Sequence, residues 1–180
     1  SDGPVYSVVV AHRGEFSSIQ EIELDPASKT AVNLLRCLLA ELALTARLIN
    51  RVSGSEGLAR ARLIIGDQAI KFRQDHANGF QFWDLGEQWK ILTGLPFVYA
   101  LWLIRPEVPD AKSIAERLRE LRDQNLADIS AIVSDAVADV TDNKQEITQE
   151  FLDRYYHEYL RFNFGPREKQ GLQTFADLCA

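Results

Sequence analysis

The chain has 180 residues, 46% of them apolar and 26% charged, an ordinary balance for a globular protein of one domain or two small lobes with a real core. Its net charge of −6 leaves no basic stripe, which argues against a nucleic-acid surface, so an anionic ligand would need a local positive site. The longest apolar run, residues 95–104, is too short to span a bilayer as a helix, and two distant cysteines, Cys37 and Cys179, read as reduced thiols and not as a disulfide framework.

Residues 1–4, Ser-Asp-Gly-Pro, are turn chemistry. Residues 6–11 (YSVVVA) predict a strand apolar enough to be central, residues 14–18 a loop or single helical turn, and residues 21–24 a short second strand. Residues 25–30 then lead into a helix over 30–43, with Val32, Leu35, Leu38, Leu39 and Leu42 as its buried stripe. Ser28 or Thr30 is placed to cap that helix. The same turn, with Ser, Lys and Thr at a positive helix end, also suits a carboxylate, and the residues alone favour the plain cap.

Residues 44–59 show no clean period and read as a helix tail and surface loop around Ser53, Gly54, Ser55, Glu56 and Gly57. A short buried strand over 62–65 ends in Gly66 and Asp67, where open α/β sheets bind ligands. Asp67 is placed to orient a substrate hydroxyl or to cap the turn over 68–72, with capping the default. Residues 75–79 are polar loop, and 80–83 a strand leading into the next helix.

The chain is organised around residues 84–105, DLGEQWKILTGLPFVYALWLIR. Leu85, Trp89 and Leu92 recur at helical spacing, Gly94 stops the helix in the left-handed conformation, and Pro96 prevents its resumption. Residues 97–104 are almost wholly apolar, the pattern of a strand buried on both faces. Past Arg105 the pattern turns helical. Amphipathic helices are expected over 110–124 (Ile114, Leu118 and Leu121 inward), over 126–140 (Ile129, Ile132, Val133 and Val137 inward, after a break at Asn125), and over 144–162 (Phe151, Tyr155 and Tyr159 on one face, capped at 141–143). A last helix starts at Gly165 and Pro166. There is no internal repeat.

The sequence carries no Cys/His metal spacing, no Walker loop, no GxSxG elbow and no GxGxxG. The three histidines are scattered: His12 follows a strand and is placed to reach a cleft, His76 lies in a polar loop and His157 on a charged helix.

Six stretches, in order, resemble one family. They are the opening SDGPV, DPASKT (25–30), GDQA (66–69), DLGEQW (84–89), TGLPFVYALW (93–102) and the closing GPREKQGL (165–172). Together they look like the chorismate dehydratases of the futalosine route to menaquinone. The resemblance implies a cytoplasmic hydro-lyase that converts chorismate to 3-[(1-carboxyvinyl)oxy]benzoate by loss of a ring proton and the neighbouring hydroxyl. It implies no metal or redox cofactor, and a small carboxylate as the partner, with neither nucleic acid nor membrane. It also implies an α/β fold of two lobes similar to type II periplasmic binding proteins. Residues 1–98 would be one α/β lobe with the hinge at its start. Residues 99–180 would be the crossing strand and helical part of the other lobe.

Under the same resemblance Ser1 takes the catalytic position, and Gly3, Ser28, Thr30, Asp67, Gly94 and Leu95 are substrate-binding. Ser28 and Thr30 would hold a carboxylate, while the turns at residues 1–3 and 94–95 would offer amides or a hydroxyl. No side chain stands out as base, so the substrate's own side-chain carboxylate is the expected proton acceptor. Family members begin with a further segment bearing a Ser-Tyr-Leu-Asn-like motif. With no methionine in the chain and nothing of that kind before Ser1, the second lobe is expected to be incomplete. The competing reading is a non-catalytic anion binder on the same fold. A later enzyme of the same pathway and a transcription-factor effector lobe are further rivals.

Overall fold

The computed structural model describes residues 1–25, 27–50, 61–139 and 148–179. It is a mixed α/β structure that divides into two units, Ser1–Tyr99 with Asn163–Ala180, and Ala100–Phe162. The sequence reading placed everything after residue 98 in one part. In the structure the first unit's chain runs to Tyr99 and resumes at Asn163, so it includes the last helix.

The first unit is built on five strands: β1 (Val8–His12), β2 (Glu21–Leu24), β3 (Arg47–Asn50), β4 (Ala61–Ile65) and β5 (Gln81–Asp84). Their order is β3-β2-β4-β1-β5. β2 runs parallel to β3 and β4, whereas β1 runs antiparallel to both neighbours, with Val8 opposite Ile65 and Val9 opposite Asp84. β1 starts two residues later than its apolar run suggests. Tyr6 holds φ at 67°, a left-handed conformation no strand continues through, and the Ser7 amide turns back to the Val5 carbonyl at 2.8 Å.

Period two buries both faces of β1, as a central strand requires. Val10 joins Ile22, Leu24 and Leu63 beneath α1 (Lys29–Glu41), which contributes Ala31, Leu34, Leu35, Cys37, Leu38 and Leu39. Val9 and Ala11 face the other way, against Ile64 and the α2 (Asp67–Asp75) residues Ala69 and Phe72. The helix α3 (Leu85–Thr93) adds Leu85 and the fully buried Trp89 to the first face. Gly94 ends α3 at φ 69°, the left-handed stop the sequence predicts.

Two expectations are corrected here. Residues 47–50, inside the stretch read as a helix tail and surface loop, form the edge strand β3. Only Leu48 and Ile49 are half-buried in it, while Arg47 pairs with Glu21 of the neighbouring strand, so the stretch carries too little apolar signal to read as a strand. Residues 97–104, read as a buried strand, form none. Phe97 is buried against Trp89 and Tyr99, but Trp102 and Leu103 are 83% and 86% exposed. The first unit's sheet ends at β5 on that side and pairs with none of this run.

The second unit contains α4 (Ala111–Ala127), α5 (Ile129–Asp139), α6 (Gln149–Arg154) and a wide turn over Tyr155–Tyr159. Val133 and Phe151 are its buried apolar side chains among the described residues. Phe151 stacks on Tyr155 at 5.8 Å and Tyr155 meets Tyr159 at 6.3 Å, the shared face expected of them. The break between α4 and α5 falls at Asp128, whose carbonyl starts α5 by accepting from Ala131 and Ile132, and not at Asn125. Thr148 caps α6. The expected cap at 141–143, the start of its helix and the loop at 53–57 lie outside the described residues. No strand follows Pro109 among those described.

α7 (Pro166–Leu178) closes the first unit. Phe175 packs edge-on against Trp89 (5.8 Å) and Phe97 (4.9 Å). Among the described residues no helix is long and apolar enough to cross a membrane.

Candidate functional site

The strand directions define one edge. β2, β3, β4 and β5 all run with their carboxyl ends toward it, and β1 begins there. α1, α2 and α3 follow β2, β4 and β5, so three helix amino ends and the stretch leading into β1 gather along this edge. Open α/β sheets take their ligands at the carboxyl ends of the strands.

Ser28, Thr30 and Asp67 lie at these helix starts. Ser28 Oγ accepts from the Ala31 amide at 3.1 Å, an ordinary N-cap, and the turn before it is held by the Ala27 amide donating to Asp25 Oδ1 at 2.9 Å. Thr30 is half-buried in the first turn of α1, where the cap makes no use of its hydroxyl. Asp67 does not cap, as the default reading had it. The cap position belongs to Gly66, whose carbonyl accepts from Ala69 and Ile70, and Asp67 is an exposed acid in the first turn of α2. Between them a cavity of about 90 Å³ is lined by Asp25, Gln68, Phe72 and the ion pair of Glu23 and Arg62, 3.0 Å apart on adjacent strands.

Ser1, Gly3, Gly94 and Leu95 form a second group. The Ser1 nitrogen donates to the Phe97 carbonyl and the Phe97 amide to the Ser1 carbonyl, both at 2.9 Å, so residues 1 and 97 run side by side. Gly3 holds φ at 128°, open to glycine alone. The Gly3 carbonyl, Ser1 Oγ and Tyr99 Oη converge on the bare α-carbon of Gly86, where a methyl group would lie 2.6, 2.7 and 3.2 Å from them. The Gly94 turn does not offer the amides expected of it. The Gly94 amide donates to the Lys90 carbonyl and the Leu95 amide to Thr93 Oγ1 at 3.1 Å. The Gly94 carbonyl in turn accepts from Lys90 Nζ and Arg167 Nη2, both at 2.9 Å, and both cations also face the Asp2 carboxylate.

Sequence reasoning missed the residue that holds the second group against α3. Asp84, 3% exposed, ends β5 and caps α3: its Oδ1 accepts from Gly86 (3.0 Å) and Glu87 (3.2 Å). The same carboxylate accepts from Val5 (3.0 Å) and Tyr6 (2.7 Å), so it fastens the chain entering β1 to the start of α3. An Asp between a strand pattern and a helix pattern is a readable capping signal, but its hold on residues 78 and 79 positions away is not.

His12 is not at this site. It ends β1 opposite Gln81, at the other edge of the sheet from Val8, and it is buried, with Nδ1 3.1 Å from the Gly14 carbonyl and its ring edge-on to Phe16. Burial lowers its pKa, outweighing the Gly14 bond and Glu15, because it penalises the charged ring. His76 likewise faces the Phe72 carbonyl and stacks on the Phe72 ring. Cys37 is buried in α1 and its thiol is pushed up to about 11, mainly by that burial.

The arrangement defines an open α/β protein with three helix starts at the carboxyl edge of its sheet, the edge at which such sheets in general take ligands. The chain belongs to a particular family of that kind: the family model described as Menaquinone biosynthesis matches residues 1–180. It is also 31% identical over 191 residues to the chorismate dehydratase of Thermus thermophilus, an alignment covering 97% of this chain and 68% of that protein. Both findings bear out the resemblance read in the sequence. Four of the stretches that carry it meet in one place. SDGPV lies on Gly86 of DLGEQW, Trp89 Nε1 donates to the Pro96 carbonyl of TGLPF at 3.3 Å, and Gly171 of GPREKQGL packs on the same carbonyl.

Proposed function

We propose that this protein is a chorismate dehydratase of menaquinone biosynthesis, a cytoplasmic lyase of the futalosine route. The observation that carries this reading is a family match over the whole chain, joined to 31% identity with a protein of that name. The reaction removes one ring proton and the neighbouring hydroxyl of chorismate as water and leaves an aromatic ring, so it runs downhill. The enzyme's task is to hold a dianion in one pose and to manage one proton.

On this proposal Thr30 and the amino end of α1 receive one carboxylate, because hydroxyls and amides at a positive helix end stabilise an anion. Ser1, beside Gly3 and the Tyr99 phenol, stands at the reacting hydroxyl, and Asp67 orients the ligand from α2. Gly94 and Leu95 shape the wall and do not donate to the ligand. The substrate's own side-chain carboxylate takes the ring proton. The burial of His12 at the far edge supports that choice, because the one histidine read as able to reach a cleft is turned away from this one.

We also propose the two-lobed, periplasmic-binding-protein-like arrangement. Its support is the pairing of residue 1 with residue 97, two neighbouring passages of the chain at the boundary of the first unit, together with the antiparallel entry of β1 into an otherwise parallel sheet. The hinge then lies at that pair.

The test is to incubate purified protein with chorismate and follow the aromatic absorbance and the loss of one water by mass. Turnover by the wild type, abolished in Ser1→Ala with chorismate still bound, is the expected result. Chorismate bound by the wild type and recovered unchanged would overturn the enzyme reading in favour of an anion binder on the same fold.

A further inference from the structure

We propose that Asp84 and Arg73 form a positioning clamp that bends the chain at Tyr6 and so holds the Ser1 hydroxyl and the Gly3 carbonyl against α3. The inference deepens the proposed function, because the group being positioned is the one assigned there to the reaction.

The local sequence does not ask for a bend. Tyr-Ser-Val-Val-Val favours an extended strand, and continued extension through Tyr6 would carry residues 1–5 onward past the sheet edge. Tyr6 instead holds φ at 67°, a conformation that costs a non-glycine residue energy and persists only where its surroundings over-determine it. Those surroundings are two side chains. The Asp84 carboxylate accepts the Tyr6 amide at 2.7 Å and the Val5 amide at 3.0 Å. Arg73 Nη1 donates to the Tyr6 carbonyl at 3.0 Å, and its guanidinium lies 4.1 Å from the centre of the Tyr6 ring. The clamp's halves face each other, with Arg73 Nη1 3.7 Å from Asp84 Oδ2. Both peptide groups of Tyr6 and its ring are therefore gripped at once, from α2 on one side and the end of β5 on the other. Beyond the bend the chain meets Gly86, whose missing side chain admits the Gly3 carbonyl and Ser1 Oγ.

Neither Asp84 nor Arg73 touches the reacting groups in this account; they act through residues 1–6. The clamp thus makes a prediction that a plain helix cap does not. In Asp84→Asn the amide oxygen still caps α3, but its NH2 faces the Tyr6 amide donor to donor, so the bend is released while the helix start survives.

The experiment measures chorismate turnover and amide exchange in the full chain for the wild type, Asp84→Asn, Arg73→Gln and the double variant Asp84→Asn with Tyr6→Gly. The expected result is a kcat about tenfold or more lower in Asp84→Asn with KM changed less than about threefold. Part of the lost kcat should return on adding Tyr6→Gly, since glycine takes positive φ without cost. Exchange at the amides of residues 5–7 should quicken in both single variants. Arg73→Gln carries the test should Asp84→Asn not fold. A wild-type kcat in a folded Asp84→Asn or Arg73→Gln, or a loss that Tyr6→Gly does nothing to restore, would overturn the positioning role. If the wild type fails to convert chorismate, the functional reading falls and the exchange arm still decides the clamp: unchanged exchange at residues 5–7 would overturn it.

Discussion

Gly171 of α7 presents its bare α-carbon to the carbonyl of Pro96, so closely that a methyl group there would overlap that oxygen. The same carbonyl accepts from the Trp89 indole at 3.3 Å, so it sits between two helices and has no room to move. The clash in Gly171→Ala would be with backbone, which cannot rotate away. We expect that substitution to cost about 1–3 kcal/mol as over-packing. Thermal or urea unfolding should show it against Gln173→Ala on the exposed side of α7, which should change stability by no more than about 0.5 kcal/mol. Equal stabilities for the two variants would mean that α7 is not seated on Pro96 as described.

His12 supplies a pH prediction. Its imidazole is buried and its pKa lies below the ordinary 6.5, chiefly because burial penalises the charged ring. The unfolded chain therefore binds the proton more readily than the folded one. Stability is full above 6.5 and is lost as pH falls below it toward the folded value. His12→Asn keeps a donor for the Gly14 carbonyl without titrating. Urea midpoints at pH 7.5 and pH 5.5 should therefore drop more in the wild type than in His12→Asn, while turnover at pH 7.5 stays near wild type if the residue has no catalytic part. A steep loss of turnover with substrate binding unchanged would make His12 the base and overturn the substrate carboxylate in that role.

The two cysteines should separate in a labelling experiment. Cys37 is buried in α1 with its thiol raised to about 11, so almost none of it is thiolate at pH 8, while Cys179 at the end of α7 is exposed. A disulfide-forming thiol reagent should titrate one thiol quickly in the native protein and the second only on unfolding. Two fast thiols would show the α1 core to be open.

What could be read from the sequence was set by range. β2, β4, α1 and α3 announce themselves through apolar periodicity or continuous apolar runs, and Gly94 and Ser28 through chemistry that acts within three or four residues. β3 has two inward side chains between polar ends, too few to signal a strand. The run at 97–104 is apolar for unlike reasons: Phe97 fills the core of α3 and α7, whereas Trp102 and Leu103 are exposed in the second unit. His12 was misplaced because the direction of β1 is not written locally; once β1 is antiparallel to β4, its last residue falls at the edge opposite the helix starts. Asp84 looks like a helix cap in sequence, and its grip on Val5 and Tyr6 exists only after the chain has folded back.

Ser28 and Thr30, two residues apart, should respond in opposite ways. The Ser28 hydroxyl is committed to the Ala31 amide, so Ser28→Ala should lower stability by about 1 kcal/mol and leave chorismate affinity close to wild type. The Thr30 hydroxyl lies in the first turn and takes no part in the cap. If it binds a carboxylate, Thr30→Val removes a hydrogen bond to a charged group, worth roughly 1.5–3 kcal/mol, at nearly constant side-chain volume. The expected loss of affinity is about ten- to a hundredfold, with a melting temperature within a degree or two of wild type. Calorimetric titration with chorismate and thermal melts of both single variants check this together. An affinity that follows Ser28 and ignores Thr30 would place the carboxylate on the cap residue. An affinity that ignores both would remove the amino end of α1 from the site and leave the anion to the cavity lined by Arg62 and Gln68.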